Sequence, residues 1–75
     1  MNGQGYQYEI TEFGRRLKEE RKKRNMTQLD LEVACGISRT EISKIENGLK
    51  NIEFSTIVKL AQSLEIETLQ LFQYE

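Results

Sequence analysis

The sequence predicts a small all-α domain organised around two short helices that a glycine turn joins. Thr27 and Asp30 are three residues apart, and so are Ser38 and Glu41. This is the capping-box spacing, in which an N-cap hydroxyl precedes an acidic residue at the third helical position. Gly36 lies between the two boxes and can adopt the left-handed conformation that ends the first helix. Two helices and a sharp turn are therefore expected in the middle of the chain.

The second of these helices, from Arg39 to Asn47, is predicted to carry one purely polar face. At about 100° per residue, five side chains that can donate hydrogen bonds share one arc, and two isoleucines lie almost opposite. The donors are Arg39, Thr40, Ser43, Lys44 and Asn47, and the isoleucines are Ile42 and Ile45. A donor face free of acids suits a helix that lies in the major groove of DNA. The alternative interpretation is an ordinary solvated face that lacks acids by chance.

The same stretch resembles the helix-turn-helix of the lambda repressor and Cro family of bacterial and phage regulators. The motif residues are MTQLDL, CGIS and ISKIENG, and the likeness extends from about Ile10 to Phe72. The resemblance implies a five-helix DNA-binding domain over residues 10–75 that binds double-stranded DNA. In one departure from the family pattern, Glu32 stands where a small residue, typically alanine, is usual.

Two groups of residues are expected to contact DNA. Arg39 and Lys44 are predicted base readers because cations pair with guanine O6 and N7, and the shorter Thr40 and Ser43 are less selective readers. Phosphate contacts are assigned to Gln28, Asn47, Lys50 and Asn51. For Gln28 the chemistry agrees with the resemblance, since its amide would lie beside the free backbone N–H groups of a helix start.

Composition excludes several classes of protein. The chain has 75 residues, no histidine and one cysteine, Cys35, so neither a zinc site nor an internal disulfide is expected. Cys35 beside the turn glycine suggests a small, partly buried residue, and a reactive thiol is the alternative. Without a histidine base, a nucleophile motif or a phosphate-binding glycine loop, we expect neither an enzyme nor a bound cofactor.

Charge is distributed unevenly along the chain. Residues 10–50 contain ten basic and seven acidic side chains, whereas residues 51–75 contain one basic and four acidic. The basic excess coincides with the predicted DNA-contacting helices. No apolar run approaches the roughly 18 residues of a membrane span, and the first residues lack the pattern of a signal peptide. The chain is therefore expected in the cytoplasm.

Residues 1–9 offer no periodic apolar face and are predicted to be a flexible tail, with packing of Tyr6 and Tyr8 on the domain or a second subunit as the alternative. Helix 1 is expected to begin with Thr11 as its N-cap. Ile10, Phe13 and Leu17 form its buried stripe. Most of its remaining cations, which are interleaved with Glu19 and Glu20, are expected on a solvated face, with approach of the end near Lys23 and Arg24 to phosphate as the alternative. These cations are Arg15, Arg16, Lys18, Lys22, Lys23 and Arg24.

The buried stripe of helix 1 reaches Arg21 one turn later, and an inward guanidinium needs a carboxylate. In the resembling family the matching arginine pairs with the residue that corresponds to Glu46. We therefore predict an ion pair between Arg21 and Glu46, with a solvated Arg21 as the alternative.

The remaining helices contribute mainly apolar side chains. Helix 2, about 28–35, is expected to direct Leu31 and Ala34 inward. A fourth helix at about 54–64 would bury Phe54, Ile57, Leu60, Ala61 and Leu64, and a short fifth helix is expected at 67–73. Its apolar residues exceed what one short helix can bury, so they are expected to form a homodimer interface; they are Leu69, Leu71, Phe72 and Tyr74.

These features predict a sequence-specific, dimeric transcriptional repressor that binds an inverted-repeat operator in the major groove. Two alternatives stay open at this point. One is an antitoxin or accessory subunit whose surface holds another protein. The other is a helical protein-interaction module that has lost DNA binding.

Overall fold

The computed structural model describes residues 4–73, with side chains from residue 6 onward. It contains four α-helices and a C-terminal 3-10 helix: α1 (Gln4–Lys23), α2 (Gln28–Cys35), α3 (Arg39–Glu46), α4 (Phe54–Ser63) and the 3-10 helix (Thr68–Phe72). The all-α prediction is confirmed, but the fifth element is a short 3-10 helix, so the predicted count of five helices is not confirmed. Within residues 4–73, no helix has both the length and the apolar content needed to span a membrane.

The predicted start of helix 1 at Thr11 is wrong, because α1 begins at Gln4. Residues 4–9, expected to be a flexible tail, are therefore helical, and residues 1–3 lie outside the described part of the chain. Residues 1–9 contain no periodic apolar face that would indicate this extension. A tertiary contact accompanies it, since the Gln7 amide donates a hydrogen bond to the carbonyl of Gly48, 3.0 Å away.

Both predicted caps of the motif helices are present. The Thr27 hydroxyl accepts the N–H of Asp30 at 3.0 Å, and the Asp30 carboxylate accepts the N–H of Thr27 at 2.8 Å, which completes the first capping box. The Ser38 hydroxyl accepts the N–H of Glu41 at 3.1 Å. Gly36 ends α2 in the left-handed conformation with φ 79°, as the sequence predicted.

A single apolar cluster joins the elements, with residues from α1, α2, α3, α4 and the 3-10 helix. Its buried members are Phe13, Leu17, Leu31, Ile37, Ile42, Ile45, Leu60, Ala61, Leu64 and Leu71, and the half-buried Cys35 packs against it. Two core predictions are wrong. Ala34 is exposed because the inward stripe of α2 runs from Leu31 to Cys35, one turn apart, and Phe54 is exposed at the first turn of α4.

Part of the expected solvated face of α1 is instead a buried ionic cluster. Arg16 and Glu20 are buried, and the Arg16 guanidinium donates to Glu20 at 2.8 Å and to the carbonyl of Gln70 at 2.6 Å. Arg24 donates to Glu20 at 2.7 Å and to the carbonyl of Leu64 at 2.8 Å. Burial alone would raise the pKa of Glu20, but hydrogen bonds from the surrounding cations lower it to about 2. The cluster ties α1 to the C-terminal part of the chain.

The backbones of α1 and α3 approach each other closely at Gly14. A Cβ atom at this position would lie 2.9 Å from the carbonyl oxygen of Glu46 and closer still to that of Ile45. Neither neighbour is a flexible side chain, so only a residue without Cβ fits. The crossing places the last turn of α3 directly on α1.

Replacing Gly14 by alanine tests this crossing, because the free energy of unfolding should fall if the helices are this close and rise if they are not. Helix propensity alone predicts that Gly14→Ala stabilises by about 0.5–1 kcal/mol, because glycine is a poor residue in a helix interior. The close approach predicts a loss of about 1–3 kcal/mol instead, because overpacking moves backbone. The free energy of unfolding in urea measures it, with the exposed Lys18→Ala on the same helix as the control. A stabilised Gly14→Ala protein would contradict the described crossing.

Candidate nucleic-acid interface

The face of α3 that was predicted to contact DNA is helical and accessible. Its opposite side is anchored in the core by Ile42 and Ile45, which are fully buried. The donor residues on the other side are exposed, except for Ser43, which is half-buried; the exposed ones are Arg39, Thr40, Lys44 and Asn47. The isoleucines therefore fix the orientation of the helix, and the donors are left free to contact a ligand.

The four predicted base readers line one shallow groove together with Gln28 from the start of α2. The groove has a volume of about 370 Å³ and is lined by Gln28, Arg39, Thr40, Ser43 and Lys44. All five side chains can donate hydrogen bonds and two are cations, and the lining contains no carboxylate. Residues from the two motif helices thus form one continuous donor surface.

The N-terminus of α3 is capped from two sides. Besides the bond from Glu41 to Ser38, the backbone N–H of Arg39 donates to the Glu32 carboxylate at 3.0 Å. A carboxylate at a helix N-terminus is favourable because it accepts a free N–H and opposes the positive end of the helix dipole. The departure from the family pattern at Glu32 therefore fixes the backbone of the first predicted base reader.

The structure contains the predicted ion pair between Arg21 and Glu46, and the pair is bidentate. The Nε and a terminal nitrogen of Arg21 donate to the two Glu46 oxygens at 2.7 and 2.9 Å. Both residues are buried, and hydrogen bonding to Glu46 raises the pKa of Arg21 despite the cost of desolvation. Arg21 also donates to the carbonyl of Met26 at 2.7 Å, just before α2. The pair holds α1, the start of α2 and the end of α3 together.

Gln28 is attached to the same carboxylate. Its Nε2 donates to Glu46 Oε1 at 3.0 Å, so the amide is oriented by the ion pair and does not rotate freely. An amide nitrogen carries two hydrogens, and one remains for another acceptor. The Gln28 amide therefore lies at the groove in a fixed orientation with a donor to spare.

The other predicted phosphate contacts lie at and beyond the end of α3. Asn47 donates a long 3.5 Å bond to Ser43 on the preceding turn. Lys50 lies 4.0 Å from the carboxylate of Glu41, and Asn51 is exposed. These residues continue the donor surface past the C-terminus of the helix.

Comparison with known proteins identifies the family. The model of the family described as "Helix-turn-helix" matches residues 17–71, which is most of the chain. The chain belongs to this helix-turn-helix family. Together with the structural likenesses below, the match makes it a DNA-binding transcriptional regulator of the type that the lambda repressor and Cro resemblance implied.

Relatives of this helix-turn-helix regulator include a control protein and an HTH-type transcriptional regulator. The control protein C.BamHI of Bacillus amyloliquefaciens is 33% identical over 63 residues, covering 83% of this chain and 78% of the relative. The uncharacterized HTH-type transcriptional regulator RghRB of Bacillus subtilis (strain 168) is 43% identical over 58 residues. That match covers 76% of this chain and 42% of the relative, so the chain spans less than half of RghRB.

Two crystal structures share the fold of this helix-turn-helix regulator. The restriction-modification controller protein C.AhdI from Aeromonas hydrophila has a TM-score of 0.84 at 34% identity, covering 87% of this chain and 98% of C.AhdI. The hypothetical transcription factor NHTF from Neisseria has a TM-score of 0.82 at 28% identity, covering 87% of this chain and 75% of NHTF.

The residues that were predicted to form the dimer interface of the regulator fall into three groups. Leu69 and Phe72 are exposed, by 68% and 38%, and the Phe72 ring packs on Phe13 with centroids 5.3 Å apart. Leu71 is fully buried in the core of its own chain, so its prediction as an interface residue is wrong. It was counted as surplus apolar surface, but the tight 3-10 turn directs it inward. Tyr74 lies outside the described residues.

Three residues that shape the interface were not predicted as such. Gly14 admits the backbone of α3, Glu32 caps it, and Gln7 binds the turn that follows it. Only Glu32 gave a signal in the sequence, because it departs from the family pattern. Gly14 and Gln7 act through contacts between distant segments, which no local pattern reveals.

Removing the Glu46 charge tests how far the interface depends on the buried pair. Glu46→Gln leaves the buried Arg21 guanidinium without a counter-charge, so the free energy of unfolding should fall by about 3–5 kcal/mol. The control is Glu41→Gln on the same helix, whose partner Lys50 is 4.0 Å away and partly exposed. The control should cost less than about 1 kcal/mol in the same urea titration. Equal losses for the two variants would contradict the anchoring role of Glu46.

Proposed function

We propose that the regulator acts as a homodimer that represses transcription by binding an inverted-repeat operator, with one α3 helix of each subunit in the major groove. The observation that supports this most is the acid-free donor face of α3, exposed on one side and anchored by isoleucines on the other. Two recognition helices related by a two-fold axis would enter successive major grooves about 34 Å apart.

Base recognition is assigned to the four α3 residues that line the groove. Arg39 and Lys44 would pair with guanine O6 and N7, and Thr40 and Ser43 would add less selective contacts. The cap from Glu32 supports the assignment of Arg39, since it fixes the backbone from which that side chain extends. Sequence preference would therefore reside on α3.

Phosphate contacts are assigned to Gln28, Asn47, Lys50 and Asn51. Gln28 has one amide hydrogen free after its bond to Glu46, and it lies on the wall of the same groove. Donors placed at both ends of α3 would hold the backbone on either side of the major groove. These contacts would set the register of the helix on DNA and carry little sequence preference.

The dimer contact is assigned to Leu69 and Phe72, which expose apolar surface at the C-terminal 3-10 helix. An interface on a two-fold axis uses the same patch on both subunits. Burying these side chains against their symmetry mates would remove apolar surface from water. The dimer would then fix the spacing of the two α3 helices.

Among regulators, we infer that the restriction-modification controllers are the functional class. C.AhdI, so described, is matched over 98% of its length, and the control protein C.BamHI is matched over 78% of its own. Genes for a restriction endonuclease and a DNA methyltransferase beside this gene would support the class. A toxin gene in that place would favour the antitoxin alternative.

Selection of duplexes from a random DNA pool, combined with the mass of the complex in solution, tests the proposed function. We expect an enriched inverted repeat with half-sites about 10 base pairs apart, bound by two copies of the 8.8 kDa chain. The affinity should fall steeply with salt, because phosphate contacts release counterions. Absence of binding at low salt would contradict DNA binding, and one copy on a single half-site would contradict the dimer.

The separation of base and phosphate contacts predicts that two substitutions differ in their effect on sequence specificity. Arg39→Ala should weaken binding to the selected operator by about 1–3 kcal/mol and relax the preference at one base position. Gln28→Ala should weaken the operator and scrambled DNA by the same factor. Titrations of both duplexes with each variant measure the two ratios. If Arg39→Ala left the operator-to-scrambled ratio unchanged, Arg39 would not be a base reader.

A further inference from the structure

The first turns of α1 pack against the turn that ends α3. The Gln7 amide donates to the carbonyl of Gly48 at 3.0 Å and to the hydroxyl of Thr11 at 3.1 Å. Gly48 is buried with φ 71°, and a Cβ on it would lie 2.9 Å from the Thr11 hydroxyl oxygen. One face of α1 is therefore in direct contact with the backbone between α3 and α4.

A second groove lies at this contact. It has a volume of about 530 Å³, and its lining residues are Tyr6, Gln7, Ile10, Gly48, Leu49, Lys50 and Asn51. The lining contains one cation, Lys50, and no acid, and the phenol of Tyr6 and the amide of Asn51 add uncharged donors. The carboxylate of Glu41 is 4.0 Å from Lys50, which is a weak, partly exposed pair that an additional anion can share. The chemistry of the groove suits a phosphate group.

The position of the groove agrees with its chemistry. An eight-residue helix such as α3 is about 12 Å long, comparable to the width of the major groove of B-DNA. Residues immediately beyond its C-terminus would therefore meet the phosphate backbone that borders the major groove. Gly48, Leu49 and Lys50 occupy that position, and Tyr6 lines the same groove.

We propose that Tyr6 is a further DNA-contacting residue, whose phenol donates a hydrogen bond to a backbone phosphate held beside Lys50. Gln7 is a positioning residue that holds Tyr6 against the turn after α3. The inference rests on the proposed binding of duplex DNA by α3. Both residues precede the part of the chain that matches the helix-turn-helix family, residues 17–71, so the contact would be an addition to the family interface.

The exposed tyrosines of α1 provide a matched pair of variants. Tyr6 and Tyr8 are 64% and 54% exposed, and their positions lie about 160° apart around the helix. Tyr6→Phe removes one hydroxyl and should weaken binding to operator and scrambled DNA by the same factor, about 3–10-fold. Tyr8→Phe should leave both affinities within about twofold, because Tyr8 does not line the groove. Equal effects of the two variants would overturn the proposal.

The salt dependence separates the phenol from the lysine. Tyr6→Phe should leave the slope of log affinity against log salt unchanged, because tyrosine is uncharged at neutral pH. Lys50→Ala should reduce the magnitude of that slope by about one, because one fewer counterion is released. A changed slope in Tyr6→Phe would contradict a neutral contact to phosphate.

Neutralising one phosphate at a time locates the contact. A methylphosphonate at the phosphate bound by Tyr6 should weaken binding by the unmodified protein. It should cost the Tyr6→Phe protein less, since contacts to one group are not additive and only the Lys50 contact to that phosphate is left to lose. Gln7→Ala should weaken binding to the unmodified duplex but not to the duplex that carries the methylphosphonate at this phosphate. A change in protein stability alone would weaken binding to both duplexes. Additive losses at every position would overturn the proposal.

The binding measurements also distinguish a failure of this inference from a failure of the proposed function. If the unmodified protein binds no duplex, the proposed function itself fails. If it binds and Tyr6→Phe equals the unmodified protein, only the role of Tyr6 fails. A Tyr6→Phe protein with a changed dimer mass and unchanged DNA contacts would make the groove a contact between subunits, which also overturns the proposal.

Discussion

The Glu46 carboxylate is the constraint on which the rest of the structure depends. It is buried at the last residue of α3 and accepts two hydrogen bonds from Arg21 on α1 and one from Gln28 on α2. Three helices thus share one anion. A hydrophobic side chain in its place would pack the helices without fixing their relative rotation, because dispersion and the hydrophobic effect are not directional. The position of the donor face of α3 relative to Gln28 follows from these three bonds.

Close approach at Gly14 and the caps on α3 complete that constraint. Gly14 brings the α1 backbone onto the last turn of α3, and Ser38 and Glu32 hold the first turn. An eight-residue helix is too short to be stable in isolation, so it depends on such contacts. Apart from the long bond between Asn47 and Ser43, the hydrogen bonds described for α3 lie at its ends or on its inner side, which leaves the side chains of Arg39, Thr40 and Lys44 available.

The sequence predicted the elements whose determinants are local. The caps at Thr27 and Ser38, the turn at Gly36 and the two faces of α3 each follow from a few neighbouring residues, and each is present. The errors occur where distant segments meet. Residues 4–9 are helical although they carry no local helix signal. Arg16 and Glu20 are buried, where the carbonyl of Gln70 and other cations of α1 satisfy their hydrogen bonds. Leu71 is buried in the core. Periodicity along one element cannot predict which partner arrives from another.

Besides the DNA-facing side chains of α3, Glu32 is a second position at which a substitution would change the preferred operator of the proposed regulator. Its carboxylate holds the backbone of Arg39 from a neighbouring helix, so it orients the proposed base reader and need not touch a base itself. A lineage that replaced it with the small residue usual in the family would free the start of α3 to tilt. Two relatives with identical DNA-facing side chains would then prefer different operators, and a recognition code that is derived from α3 alone would fail to distinguish them.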